Sequence, residues 1–314
     1  MRSLIIGCAS QDGYFLSREL INLESFVIGT KRLKSIIPKN HPLGDLGLIF
    51  DIESENHIKL ANLVIENRID KVFYLSGLTS IAESQKNPES AFSINCTSYK
   101  NLLKELSTLG FSGQVIYASS TEIFNNFESS LNENSLRKPI NIYGQTKLCA
   151  MELDFKGSNF PFTISNAIMS NHESFLRTEK FVTGKIAIKL AAIKRGELDK
   201  IELGNINVKK DWTSAAEIID ALILIAKGGY PGDFLLASGK LTSLVDLIEF
   251  GFQIIGIRNW KDYVHISDEL IRKTDRIEQV LDISKAKKVL GWEPKISYQE
   301  WFAEMINYNL TNFK

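Results

Sequence analysis

Tyr143 and Lys147 stand four residues apart in Tyr143-Gly144-Gln145-Thr146-Lys147, downstream of Ser120. On a helix that spacing puts both side chains on one face. An ammonium beside a phenol is expected to lower the phenol's pKa, so that it can exchange a proton with a substrate hydroxyl near neutral pH. Ser120 would give the same substrate oxygen a second hydrogen bond. Tyr-x-x-x-Lys also arises by chance on many helix surfaces. Here it follows a β-branched run and the Ser119-Ser120 turn, the placement that hydride transfer requires. Glu122 lies two residues beyond the serine, in Ser120-Thr121-Glu122-Ile123. A carboxylate there can remove a proton next to a newly made ketone, a step that simple hydride transfer does not need. The alternative for Glu122 is a helix cap or a solvent-facing acid.

A second motif, Gly7-Cys8-Ala9-Ser10-Gln11-Asp12-Gly13, separates an apolar run from a helical one. Gly7 permits a sharp turn, and the small residues that follow let backbone N–H groups and a helix N-terminus approach a pyrophosphate. Gly7, Ser10, Gln11, Asp12 and Gly13 are therefore cofactor candidates, although the same residues suit an ordinary βα turn. The second apolar run ends in Gly29-Thr30-Lys31-Arg32, without the acid that would accept adenine-ribose hydroxyls. A cation at that point pairs with a 2′-phosphate, so Arg32 favours NADP over NAD; a solvated basic loop is the other reading. Asp51 and Ile52, closing the third apolar run, join the cofactor set.

These residues need elements to hold them. Leu4–Ile6, Ser25–Ile28, Leu48–Phe50, Lys71–Leu75 and Gln114–Ala118 read as strands. Tyr14–Asn22, Ile58–Glu66 and Phe92–Leu109 read as the intervening helices. Strand–helix alternation implies right-handed crossovers, hence an α/β fold with a Rossmann-type doubly wound parallel sheet. The second half is less regular, with helices at Phe181–Arg195 and Ser243–Ile255 and a short one capped by Asp282. It suggests a smaller, mixed α/β C-terminal substrate domain. The expected division is a dinucleotide-binding domain over 1–167, rejoined by about 211–240, and a substrate domain over 168–210 and 241–314.

Composition sets the outer limits. The chain has 314 residues with 37 basic and 37 acidic side chains. Such balance offers no electrostatic footprint for nucleic acid or an anionic membrane, and no apolar run reaches the length of a membrane span. Cys8, Cys96 and Cys149 look few and unclustered, which argues for a reducing compartment and against a zinc site. A cytoplasmic location is the expectation.

Taken together, the motifs resemble the GDP-mannose 4,6-dehydratase family of extended short-chain dehydrogenases/reductases. The resemblance runs nearly end to end. It rests on Gln11-Asp12-Gly13, Asn87-Pro88, Asn95, the set Ser120/Glu122/Tyr143/Lys147, and the Ala286-to-Trp292 segment. Its most specific part is Asn171-His172-Glu173-Ser174, Phe181-Val182-Thr183-Gly184-Lys185-Ile186, Leu203-Gly204-Asn205 and Asp211-Trp212. Departures are Ser120 for a usual threonine, Ser80 for a histidine, Leu33 and Gly184 for arginines, and Lys210 in a usual Arg-Asp-Trp.

The resemblance implies that His172 and Arg177 approach NADP; on its own, His172 reads equally as a structural histidine. It points to Asn166, Asn171, Lys185, Lys210 and Arg272 as candidates for the substrate phosphates, each of which could also be structural. It implies conversion of GDP-mannose to GDP-4-keto-6-deoxymannose and water by internal hydride transfer through retained NADP. The implied assembly is a homodimer, with a homotetramer less secure because the loop after Lys31-Arg32 is short. An NADPH-dependent ketosugar reductase or an epimerase would need Ser120, Tyr143 and Lys147 but not Glu122. A dehydratase of another GDP-sugar shares every motif. A non-catalytic dinucleotide sensor on this fold would be expected to lose Tyr143 or Lys147.

Overall fold

The computed structural model describes residues 1–124, 128–155, 160–270 and 278–312. Among these, seven strands form one sheet: β1 (Arg2–Ile6), β2 (Phe26–Lys31), β3 (Ile49–Asp51), β4 (Lys71–Tyr74), β5 (Gln114–Ser120), β6 (Thr163–Met169) and β7 (Gly232–Leu236). Their order is β7-β6-β5-β4-β1-β2-β3, and every neighbouring pair is parallel. This is the expected doubly wound sheet. Leu4, Ile5, Val72, Phe73, Val115 and Ile116 are fully buried, because helices cover both faces of a parallel sheet.

The covering helices include α1 (Gln11–Asn22), α2 (His57–Glu66), α3 (Ser98–Thr108) and α4 (Ile142–Phe155). Further along come α5 (Val182–Lys194), α6 (Ala215–Gly228), α7 (Leu244–Ile254) and α8 (Tyr298–Asn312). The expected long helix over Phe92–Leu109 is broken. Residues Pro88–Phe92 are α-helical, Ser93–Thr97 form a π turn, and α3 begins at Ser98. The cause is Asn95, whose buried amide is drawn out to other partners: its Oδ1 accepts from Leu78 N–H at 2.7 Å, and its Nδ2 donates to Leu78 O and to Thr146 Oγ1. Such single-turn π bulges often mark functional sites.

The buried apolar side chains form two cores. The first includes the sheet together with α6, Phe234–Ala237 and the segment Leu281–Trp292. The second joins α5, α7 and α8 around Trp212, Phe252, Trp301 and Phe302. Leu281, Ile283, Ala286, Leu290 and Trp292 thus pack with the sheet. Trp292 anchors that segment by donating its indole N–H to Glu217 O on α6. Asp282 does not occupy the cap position itself, which falls to Ile283, but its carboxylate accepts the Ser284 N–H at 2.9 Å.

The cysteines are not dispersed in space. Cys96 in the π turn and Cys149 on α4 form a disulfide, their Cα atoms 6.0 Å apart across 53 residues of sequence. Cys8 is a buried free thiol. The inference of a reducing compartment from unclustered cysteines therefore loses its premise. Among the described residues no helix is long and apolar enough to cross a membrane.

Candidate active site

The carboxyl ends of β1, β2 and β4 open onto a cavity of about 300 Å³, bordered by Gly7, Ser10, Arg32, Ile52, Ser76 and Gly77 among others. Gly7 has φ +95°, and a Cβ there would come within 2.9 Å of Ser76 N. Only glycine holds this turn without strain. A Cβ on Gly13 would overlap the Cys8 carbonyl, so the start of α1 can press directly onto the turn. Ser10 caps α1 by accepting the Gly13 N–H at 3.0 Å. A glycine turn, a helix N-terminus and Arg32 on one cavity fit the pyrophosphate and 2′-phosphate of a dinucleotide. Asp51 does not border the cavity. It pairs with Lys31 at 2.5 Å, and Lys31 borders the cavity together with Arg32.

Gln11 and Asp12 point the other way, toward the strand Asn171–Glu173. Asp12 oxygens lie 3.0 and 3.1 Å from His172 Nε2. Gln11 donates to His172 O and accepts from Ser174 Oγ. Burial alone would push His172 down, but the Asp12 charge and hydrogen bond hold the imidazole above its ordinary pKa. Burial likewise opposes ionisation of Asp12, and the His172 charge outweighs it, leaving the acid below its ordinary value. Arg177 sits 3.6 Å over the Phe181 ring and pairs with Glu173 at 3.0 Å. The first βα turn and the segment after β6 are thereby locked together.

Ser120, Tyr143, Lys147 and Glu122 converge where β5 ends and α4 begins. Tyr143 stands near the Ser120 hydroxyl, which opposes part of the rise in its pKa. Lys147 is buried and donates to Ala118 O at 2.7 Å, with its Nζ 5.9 Å from the centre of the Tyr143 ring. The expected lowering of the phenol pKa by Lys147 is not what the enclosed site produces. Burial pushes Tyr143 up to about 12 despite the Ser120 hydroxyl, and Glu122 adds to the rise. Burial also pulls Lys147 down to about 8. Desolvation is the largest cause for both groups because both are withdrawn from water.

Glu122 sits in the 3₁₀ turn Thr121–Ile123, whose Ser120 cap accepts the Glu122 N–H at 3.2 Å. Its Oε2 accepts from Asn141 Nδ2 at 2.6 Å. Asn141 in turn caps α4, its Oδ1 accepting the Gly144 N–H at 2.8 Å. A Cβ on Gly144 would overlap the Glu122 backbone carbonyl.

Glu122 also borders a second, smaller cleft of about 50 Å³, together with Thr121, Asn171, Lys210, Asp211 and Gln279 among others. Two substrate candidates, Asn171 and Lys210, are thus brought beside the carboxylate. Asn166 is not. It is fully buried on β6, where its Nδ2 donates to Asp233 Oδ1 at 2.9 Å and its Oδ1 is buried with no hydrogen-bond partner among the described residues. Lys185 is half-buried on α5 and does not border the cleft. Arg272 lies outside the described residues. Sequence reasoning misses Gln279, Thr121 and Asn141. Of these, Asn141 has a legible signal, as a capping residue two positions ahead of Tyr143.

A family model described as GDP-mannose 4,6 dehydratase matches residues 4–305. The chain belongs to that family. Among its relatives is GDP-mannose 4,6 dehydratase 1 of Arabidopsis thaliana, 27% identical over 98% of this chain and 89% of the relative. Solved structures with the same fold include RMD from Pseudomonas aeruginosa complexed with NADPH, with a TM-score of 0.83, 21% identity and full coverage of both chains. A UDP-glucose 4-epimerase from Thermotoga maritima superposes with a TM-score of 0.84 at 24% identity over 98% of each chain. The fold is therefore shared by dehydratase, epimerase and NADPH-binding relatives.

Proposed function

We propose that the chain converts GDP-mannose to GDP-4-keto-6-deoxymannose and water, with NADP as a retained cofactor. One observation carries the reading. Glu122 borders the substrate cleft two residues from Ser120, with its carboxylate held by Asn141. A reductase or a 4-epimerase, which only moves a hydride at C4, has no use for a base at that point. The family membership supports the same reaction, and Arg32 at the mouth of the larger cavity supports NADP.

Bound NADP supplies the acceptor of a hydride from C4 of the sugar and the donor that returns it to C6. The chain's own residues move the protons. Tyr143 takes the proton of the 4-hydroxyl, and Ser120 holds the same oxygen by a hydrogen bond. The 4-ketone then acidifies C5, and Glu122 removes that proton. The resulting carboxylic acid delivers a proton to the departing 6-hydroxyl, so that water leaves. Protonation at C5 by Tyr143 or solvent completes a cycle with no net redox change. Lys147, His172 and Arg177 are assigned to the cofactor, and Asn171 and Lys210 to the substrate phosphates. Exposed Leu33 and Ile36, at 68% and 90%, lie beside the cofactor cavity and support self-association as a homodimer.

The test is to incubate the purified protein with GDP-mannose and with UDP- and dTDP-glucose and to follow product masses. The expected result is a GDP-sugar lighter by one water, formed without added reductant. Consumption of NADPH in step with product would assign a reductase instead.

A further inference from the structure

We infer that Asn141 is a positioning residue for the base, coupling Glu122 to the helix that carries Tyr143 and Lys147. The inference rests on the dehydratase reading above and deepens it. Asn141 is 5% exposed, and both ends of its amide are used. The Oδ1 accepts the Gly144 N–H at 2.8 Å and the backbone carbonyl accepts the Gln145 N–H at 3.0 Å, which together start α4. The Nδ2 donates to Glu122 Oε2 at 2.6 Å. A primary amide nitrogen has no lone pair to offer, so this contact requires an acceptor oxygen on Glu122. Donation to a carboxylate is a short, charge-assisted bond that fixes the plane of the carboxylate.

The consequence is geometric. Glu122 follows β5 and Tyr143 opens α4, so base and phenol lie on separate elements. The contacts that tie them include the Asn141 amide and the Gly144 backbone lying against the Glu122 carbonyl. The base must reach C5 while the phenol engages the neighbouring C4 oxygen, so the spacing of the two groups has to match adjacent sugar atoms. Displacement of the base by about 1 Å is enough to cost on the order of 100-fold in rate. Asn141 sets that spacing from a position where it contacts neither the sugar nor the cofactor in this account.

Asn141→Asp separates the two jobs. Aspartate caps a helix as well as asparagine does, but it presents a carboxylate where Glu122 now receives a donor. The expected variant keeps its fold and binds NADP equally well, with the buried like-charge contact lowering its melting temperature by a few degrees. Its KM for GDP-mannose stays within about twofold while kcat falls about 10- to 100-fold. Solvent deuterium exchange at C5 falls in parallel. Asn141→Ala, which loses cap and donor together, is expected to add a fall in melting temperature to the same kinetic defect. Wild-type kcat in Asn141→Asp, or a loss confined to KM or to melting temperature, overturns the assignment while leaving the dehydratase reading intact. A wild-type protein that leaves GDP-mannose unchanged overturns both.

Discussion

The backbone carbonyl of Glu122 lies against the α-carbon of Gly144, in the space that any side chain at 144 would fill. The second residue of Tyr143-Gly144-Gln145-Thr146-Lys147 is thereby fixed as glycine by packing, not by helix preference, since glycine costs about 1 kcal/mol in a helix interior. Gly144→Ala is expected to raise helix propensity yet to destabilise the protein, because overpacking costs about 1–3 kcal/mol. Turnover of GDP-mannose should fall on the order of 100-fold as the Glu122 turn is displaced. Thermal melting and steady-state kinetics check this together. A variant that is more stable and fully active would mean that the turn yields without consequence.

Cofactor choice follows from the different fates of two adjacent cations. Both border the cavity, but Lys31 is paired with Asp51 at 2.5 Å, whereas Arg32 has no such ion pair among the described residues. Arg32→Ala is expected to weaken NADP binding at least about tenfold, or about 1.4 kcal/mol, and to leave NAD binding nearly unchanged. Lys31→Ala should cost NADP less than Arg32→Ala. Isothermal titration of both variants with both dinucleotides decides between them. An equal loss of NADP and NAD binding would assign Arg32 to the pyrophosphate or to the fold instead of the 2′-phosphate.

The Asp12–His172 pair makes stability depend on pH. The folded histidine lies above its ordinary 6.5, so its contribution is complete below that value and is lost as pH rises through the raised one. Asp12 lies below its ordinary 3.8, so its contribution is present above that value and is lost as pH falls through the lowered one. Wild type should therefore lose more stability than His172→Gln between about pH 6 and pH 9. Melting curves of the two proteins across that range measure the difference. Parallel profiles would show that the pair carries no net linkage.

Much of the fold and of the site is legible in the amino-acid order alone. The seven-residue run Gly7–Gly13, the strand–helix alternation through Ser120 and the Tyr143/Lys147 spacing each state a local requirement in a few adjacent residues. Legibility stops where side chains are satisfied by distant partners. The strand Thr163–Met169 carries Ser165 and Asn166, which break its apolar pattern. Ser165 is matched by Gln114 and the Tyr230 carbonyl, and Asn166 by Asp233. The π turn at Ser93–Thr97 depends on Leu78 and Thr146, and the disulfide spans 53 residues. The phenol pKa departs from expectation for a related reason: spacing reveals the lysine next to Tyr143 but not the depth at which both are buried. Asn141 and Gly144 stand in the sequence beside Tyr143, but their meaning depends on Glu122 arriving from another strand.

The central claim is that Glu122 takes the C5 proton, and isotope incorporation measures that step directly. Wild type and Glu122→Gln are incubated with GDP-mannose in deuterium oxide, and the position of the label is read by NMR and mass. Wild type should yield GDP-4-keto-6-deoxymannose carrying solvent deuterium at C5. Glu122→Gln should bind NADP normally, leave C5 unlabelled and release no water, because an amide cannot abstract the proton. Dehydration by Glu122→Gln at the wild-type rate, or a wild-type product without deuterium at C5, would contradict the account.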